Sequence, residues 1–135
     1  MSPAKPAKKF DASKAGRYSY QGLERVIHEK ARIGIMTSLA MRPEGLLFSD
    51  LKELCSLTDG NLNRHLKVLR EARLVDVKKG VRDNRSQTLC RITPKGRARL
   101  MDYINELERV LADAEQAAKA DQAADRGTLK GWSPA

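Results

Sequence analysis

Asn61, Asn63, Arg64 and Lys67 lie within seven consecutive residues, and all four are side chains that can read base edges or hold phosphates. Arg pairs with guanine and Asn with adenine through two hydrogen bonds, while Lys serves a base or a phosphate. At 100° per residue, Leu62, Leu66 and Leu69 gather on one side of a helix. Gly60, Arg64, Lys67 and Glu71 fall opposite, with Asn61 and Asn63 on the two flanks. Gly60 leaves the helix start without a side chain, so another backbone can approach closely. Thr58 is an N-cap candidate, and Asp59 follows where the helix dipole favours an acid. The free N–H groups of that first turn offer a phosphate site. A second basic set comes next: Lys78, Lys79, Arg82, Arg85 and Arg91, opposed only by Asp83. Its connector contains Gly80, Asn84 and Ser86, so it can follow a backbone or send Arg82 or Arg85 into a minor groove.

Other chemistries find less support. No Ser-His-Asp, paired-carboxylate or Gly-rich phosphate-loop arrangement is present, so no enzyme is expected. Neither His28 nor His65 falls at useful ligand spacing from Cys55, and no metal or cofactor is expected. His65, at the edge of the leucine stripe, reads as a packing or phosphate-contacting residue. His28, beside Glu29, reads as capping or packing. Cys55 takes a core position, and the face of Cys90 is open. A thiol switch needs a low pKa and exposure, and the sequence shows neither.

The elements that must position these residues follow from periodicity. Ala31, Ile35, Met36 and Leu39 predict a helix over about 28–42, stopped before Pro43 and Gly45. Leu46-Leu47-Phe48 suits a minimal strand. Ser49 is expected to cap a short second helix that buries Leu51, Leu54 and Cys55. Ser56-Leu57-Thr58 makes a tight turn into a third helix, about 59–73. Residues 74–77 and 88–92 read as strands, with 78–87 as a long basic loop. Thr93-Pro94 is a helix-start signal. The order is helix, short strand, helix, turn, helix, hairpin, helix. It predicts a mainly α fold with a small β-hairpin wing (α+β), a winged helix-turn-helix with a long C-terminal dimerisation helix.

That last helix runs from Pro94 to about Asp125, with Gly127 as its stop, roughly 45–50 Å at 1.5 Å per residue. Leu100, Ile104, Leu107, Leu111, Ala114 and Ala118 recur at steps of four and three, a heptad seam widened by Met101 and Val110. The alternative is a helix that packs along its own domain. The whole chain, 135 residues with 41% hydrophobic and 32% charged, suits one domain with tails. No apolar run is long enough to span a membrane or to serve as a secretory signal. With two cysteines and no export signal, a cytoplasmic, nucleoid-associated location is expected.

Charge divides the chain further. Residues 1–22 hold five basic residues and one acid, 23–93 fourteen and nine, and 94–135 seven of each. The net +9 therefore sits on the first two segments. The expected parts are a mobile basic arm (1–22), a winged-helix DNA-binding domain (23–93), a long dimerisation helix (94–126) and a flexible tail (127–135). Tyr18, Tyr20 and Trp132, in the tails, are candidates to dock on a partner subunit.

From Leu23 to Leu100 the chain resembles the small winged-helix transcriptional regulators of the MarR/ArsR superfamily, in particular its short single-domain group. The matching stretches are Val26-Ile27-His28-Glu29-Lys30-Ala31-Arg32, Phe48-Ser49-Asp50-Leu51-Lys52-Glu53-Leu54, and Leu57 to Leu69, with Thr93-Pro94-Lys95-Gly96-Arg97 opening the last helix. The resemblance implies a homodimeric repressor or activator on a palindromic operator. The single thiol at Cys55 departs from the paired thiols of ArsR-like metal sensors. The irregular N-terminus departs from the helices MarR-like proteins use to dimerise. DNA contacts are expected from Thr58, Gly60, Asn61, Asn63, Arg64 and Lys67 on the third helix and from Lys78, Lys79, Arg82 and Arg85 on the wing. Double-stranded DNA and a second copy are the expected partners, without a membrane. A ligand cleft between core and last helix is a family expectation, and no polar constellation names an effector. Two other readings stay open: an architectural nucleoid protein with little sequence preference, and a protein–protein docking module.

Overall fold

A computed structural model describes residues 12–23, 25–123, 131 and 133–135. A 3-10 turn at Ala12–Lys14 precedes α1 (Lys30–Ala40), β1 (Leu46–Leu47), α2 (Phe48–Leu54) and α3 (Asp59–Glu71). The chain continues through β2 (Val75–Arg82), β3 (Arg85–Ile92) and α4 (Pro94–Ala123). The three strands form one antiparallel sheet in the order β1-β3-β2. The core joins Ile35, Met36 and Leu39 of α1 to Leu62, Leu66 and Leu69 of α3, closed by Leu51 and by Leu100 and Tyr103 of α4. This is the expected winged helix-turn-helix with a small hairpin and a long last helix. Among the described residues, no helix is long and apolar enough to cross a membrane.

Both ends of the helix-turn-helix unit close by the same device. After α2, Ser56 takes a left-handed conformation (φ 52°), with Leu57 N–H donating to the Lys52 carbonyl at 3.0 Å and Ser56 N–H to that of Glu53 at 3.1 Å. After α3, Arg73 does the same (φ 62°), and Leu74 N–H reaches the Leu69 carbonyl at 2.9 Å. These are Schellman closures built without the usual glycine.

Several expectations are corrected. Ser49 is not a cap: α2 begins at Phe48, with Leu47 in the N-cap position and no side-chain cap. Of the predicted α2 face only Leu51 is buried. Leu54 is 64% exposed, and Cys55, beyond the helix end, is half-buried. The long basic loop at 78–87 is mostly strand, and the turn narrows to Asp83-Asn84 (φ 52° and 62°), a pair of positive φ values as in type I′ hairpins. Polar residues on both faces hide these strands from an alternation test, because the hairpin tip stands clear of the core.

The second half of the predicted mobile arm, 12–22, is tied to α4 by polar contacts that leave no periodic signature. Arg17 forms a two-pronged pair with Asp113 (2.7 and 2.9 Å), and the Tyr20 hydroxyl donates to the same carboxylate at 2.7 Å. These donors, the Arg17 guanidinium foremost, hold the Asp113 carboxyl below its usual range. Gly22 N–H donates to the buried Glu106 at 2.7 Å, and Arg109 caps the other Glu106 oxygen at 2.6 Å. The first eleven arm residues, Gly127 as helix stop and Trp132 lie outside the described residues.

α4 is divided along its length. Leu100 is buried in its own chain's core, and Ile104 and Leu107 pack against that core. Of the expected seam, Leu100 is thus spent on its own chain's core. Leu111 is 63% exposed, and Ala114 and Ala118 are exposed. At the start of α4, Thr93 Oγ1 accepts from Gly96 N–H at 2.9 Å, the expected N-cap. A Cβ on Gly96 would collide with the Leu74 carbonyl oxygen, which already accepts from Thr93 N–H at 3.0 Å.

Gly96→Ala sets a helix-propensity gain of about 1 kcal/mol against a clash with fixed backbone. Overpacking of this kind costs about 1–3 kcal/mol when side chains can yield, and here they cannot. A net loss of about 2 kcal/mol in urea unfolding is expected, and equal or higher stability would show that α4 does not seat on Leu74. Arg73→Gly should raise stability by about 0.5–1 kcal/mol, since glycine adopts the left-handed region without steric cost.

Candidate nucleic-acid interface

α3 is amphipathic by construction, with a leucine stripe on one side and polar groups on the other. Leu62, Leu66 and Leu69 are buried, while Gly60, Asn61, Asn63, Arg64, Lys67 and Arg70 are exposed. Thr58 caps the helix, its Oγ1 accepting from Asn61 N–H at 3.1 Å. A Cβ at Gly60 would meet nothing within 4 Å, so the helix start is open to another molecule. Asp59, the one acid in this turn, is paired with Lys52 at 2.9 Å.

The hairpin supplies the second wall. Lys78, Lys79, Arg82 and Arg85 are exposed on it, and Arg82 and Arg85 are cross-strand partners flanking the turn. Among the described residues, none of the side chains of Asn61, Asn63, Arg64, Lys67, Lys78, Lys79, Arg82 and Arg85 makes an intrachain hydrogen bond or ion pair. A groove of about 430 Å³ lies between α3 and the hairpin. Phe48, Leu66 and Val77 are its apolar lining, and Asn63, Lys67, Arg70, Lys79 and Thr88 are its polar lining. The structure thus brings Asn63 and Lys67 of α3 together with Lys79 of the hairpin. Arg70 and Thr88 were absent from the sequence expectation. Arg70 had a visible signal, three residues after Lys67 and so on the same helix side. Thr88 had none until the register of β3 was known.

The tempting residues resolve differently. His65 is buried in the apolar side of α3, a packing position. His28 shares a 2.6 Å hydrogen bond with the Tyr103 hydroxyl. Cys90 is buried, and burial pushes its thiol up to about 11, so it stays protonated and unreactive. Among the described residues, no three His, Cys, Asp or Glu side chains are grouped to hold a metal ion.

A family model described as a winged helix DNA-binding domain matches residues 31–111, from α1 into the middle of α4. The chain belongs to that family. An uncharacterized protein of Methanocaldococcus jannaschii is 44% identical over 68 residues, 50% of this chain and 74% of that protein. The solved structure of a transcriptional regulator homologue from Pyrococcus horikoshii OT3 is similar, with TM-score 0.63 and 30% identity, over 67% of this chain and 89% of that one. A DNA complex of MepR from S. aureus shares the fold at 14% identity (TM-score 0.59, 82% and 89% covered). PcaV from Streptomyces coelicolor, solved with its natural ligand, does so at 19% (TM-score 0.55, 85% and 93% covered). The expected resemblance to winged-helix regulators is borne out.

A winged helix of this kind depends on α3 starting where it does. Thr58→Ala should cost about 1 kcal/mol by freeing the Asn61 N–H from its acceptor, and Thr58→Ser should retain most of that. Thermal unfolding of the two variants checks this, and equal losses in both would remove the cap from the account.

Proposed function

We propose that the protein is a transcriptional regulator that binds a short inverted repeat as a homodimer and represses by occluding a promoter. One observation carries the reading: Asn63 and Lys67 of α3 and Lys79 of the hairpin, without intrachain side-chain partners, line one groove in a winged helix DNA-binding domain. In this arrangement Asn61, Asn63 and Arg64 read base edges, and Thr58 and Lys67 hold the α3 end to the backbone. Lys78, Lys79, Arg82 and Arg85 neutralise phosphates along the flank. Dimerisation uses the far half of α4, where Leu111, Ala114 and Ala118 are exposed, with Ile104 and Leu107 at its inner edge. Two α3 helices then face neighbouring turns of one duplex, spaced about 34 Å or a multiple of it.

Selection from random duplexes, followed by binding at several salt concentrations, tests the reading. An enriched palindrome is expected; steep salt dependence without enrichment would leave an architectural DNA-coating protein instead. Arg64→Ala should relax discrimination at one base position by about 1–3 kcal/mol, whereas Lys79→Ala should weaken all duplexes alike and reduce the salt slope by about 1. Gly60→Ala separates folding from binding: it should stabilise α3 by about 0.5 kcal/mol yet weaken DNA binding, because only DNA would meet the new methyl. Leu111→Glu should give monomers in sedimentation at micromolar concentration with the fold intact. A persisting dimer would move the seam elsewhere.

A further inference from the structure

The apolar side of α3 contains one polar side chain. His65 is 3% exposed, in the same row as Leu62, Leu66 and Leu69. It closes a ring with the start of α1. Arg32 Nε–H donates to His65 Nδ1 at 3.3 Å, Arg32 Nη2 pairs with Glu29 Oε2 at 3.1 Å, and Glu29 Oε1 lies 3.7 Å from His65 Nε2. Arg32 Nη1 donates to the Val26 carbonyl at 3.2 Å. All three guanidinium nitrogens are therefore committed, and Arg32 is itself largely buried, its side chain 13% exposed.

The ring specifies a protonation state. Nδ1 accepts from Arg32 only while it carries no proton, so the proton of the neutral ring sits on Nε2, toward Glu29. A leucine stripe is non-directional and resists sliding along the helix axis poorly, whereas a charge-assisted fork fixes axial position and rotation together. Arg64, exposed on the polar side of α3, is the residue next to His65, so a small turn of α3 would move it directly.

We infer that Arg32 is a positioning residue for the reading helix, holding α3 in register through neutral His65, with Glu29 fixing the fork. This rests on the DNA-reading role of α3 given above. Burial pushes the His65 pKa below the ordinary value, opposed by Glu29 and reinforced by Arg64 and Arg32. Above the unfolded value of about 6.5 both states are neutral and the ring is intact. As pH falls below that value the unfolded chain takes a proton the folded chain resists, so stability declines first, and register is lost only at the lower pH where folded His65 itself takes a proton. Protonation at Nδ1 also turns the acceptor into a donor facing Arg32.

The test uses the full chain with Arg32→Met, Arg32→Lys and His65→Asn, the last keeping a neutral acceptor near the Nδ1 position. Without DNA, Arg32→Met should speed amide exchange of α3 about tenfold, the effect of one lost charge-assisted bond, with α4 unchanged and Arg32→Lys intermediate. With DNA, the affinity ratio of selected over random duplex should fall about tenfold in Arg32→Met, with random-duplex affinity held. That ratio should hold for the parent chain from about pH 7.5 down to the ordinary histidine value of about 6.5 and drop below it as folded His65 takes a proton, but not for His65→Asn. Unchanged α3 exchange in Arg32→Met, or superimposed pH profiles for the parent and His65→Asn, would overturn the inference. If no duplex is enriched, the DNA-reading role fails, and the exchange measurement still decides the ring.

Discussion

The Leu74 carbonyl oxygen is the point on which the outward-facing parts of the molecule are mounted. Leu74 N–H closes α3 at Leu69, and its carbonyl accepts from Thr93 N–H one residue before α4. Thr93 Oγ1 donates to the Arg73 carbonyl at 2.7 Å while accepting from Gly96 N–H. Val75 and Ile92, on either side of this knot, pair with each other as the first residue of β2 and the last of β3. The end of α3, the root of the hairpin and the start of α4 thus meet within a few residues, through backbone groups and one hydroxyl. Backbone hydrogen bonds admit little angular slack, and the absence of a Cβ at Gly96 lets α4 press directly onto them. The relative directions of α3, the hairpin and α4 are therefore set before any side chain at the groove is considered.

From that mount, α4 does two jobs at different distances. Its first three turns finish the core with Leu100 and Tyr103. The next turns receive the N-terminal segment, and here the contacts become polar. Burying Glu106 would be costly without donors, and Gly22 N–H and Arg109 supply them. Gly22 has to be glycine on this account, since a Cβ would lie 2.6 Å from a Glu106 oxygen. Beyond Asp113 the helix stands away from its own domain with exposed alanines. One heptad repeat in the sequence thus covers an intrachain surface first and an exposed ridge afterwards, and a period of three and four has no means of marking the change.

What the sequence disclosed, and what it hid, divides along the same physical line. Wherever an element buries one face, its period betrayed it: the stripes of α1 and α3, the Thr58 and Thr93 caps and the order of elements were all legible. The polar strands at the hairpin tip had no buried face to announce them. Leu54 carried the right period in α2 and still ended exposed, as the last residue of a helix only seven residues long. The docking of Arg17, Tyr20 and Gly22 on α4 joins residues more than eighty positions apart through hydrogen bonds, which periodicity does not record. The groove residues on α3 were legible because helical spacing fixes their side. Thr88 became so only with the strand register.

The distribution of ion pairs says where the net charge is effective. Asp113, Glu106, Glu29, Asp59 and Glu44 are each matched to a nearby Arg or Lys. The exposed ones, Arg42–Glu44 and Lys52–Asp59, contribute at most about 1 kcal/mol apiece, so stability alone is a weak reason for them. The electrostatic consequence of the pairing is larger. These pairs neutralise Arg17, Arg32 and Arg109 locally, and Lys52 cancels the one acid in the first turn of α3. The cations of α3 and the hairpin keep their charge. With a Debye length of about 8–10 Å at physiological salt, these side chains act as one positive surface toward a polyanion approaching the groove. With these five acids paired elsewhere, the unpaired cations of α3 and the hairpin lie on the same face as the asparagines able to discriminate between bases, which joins attraction to recognition.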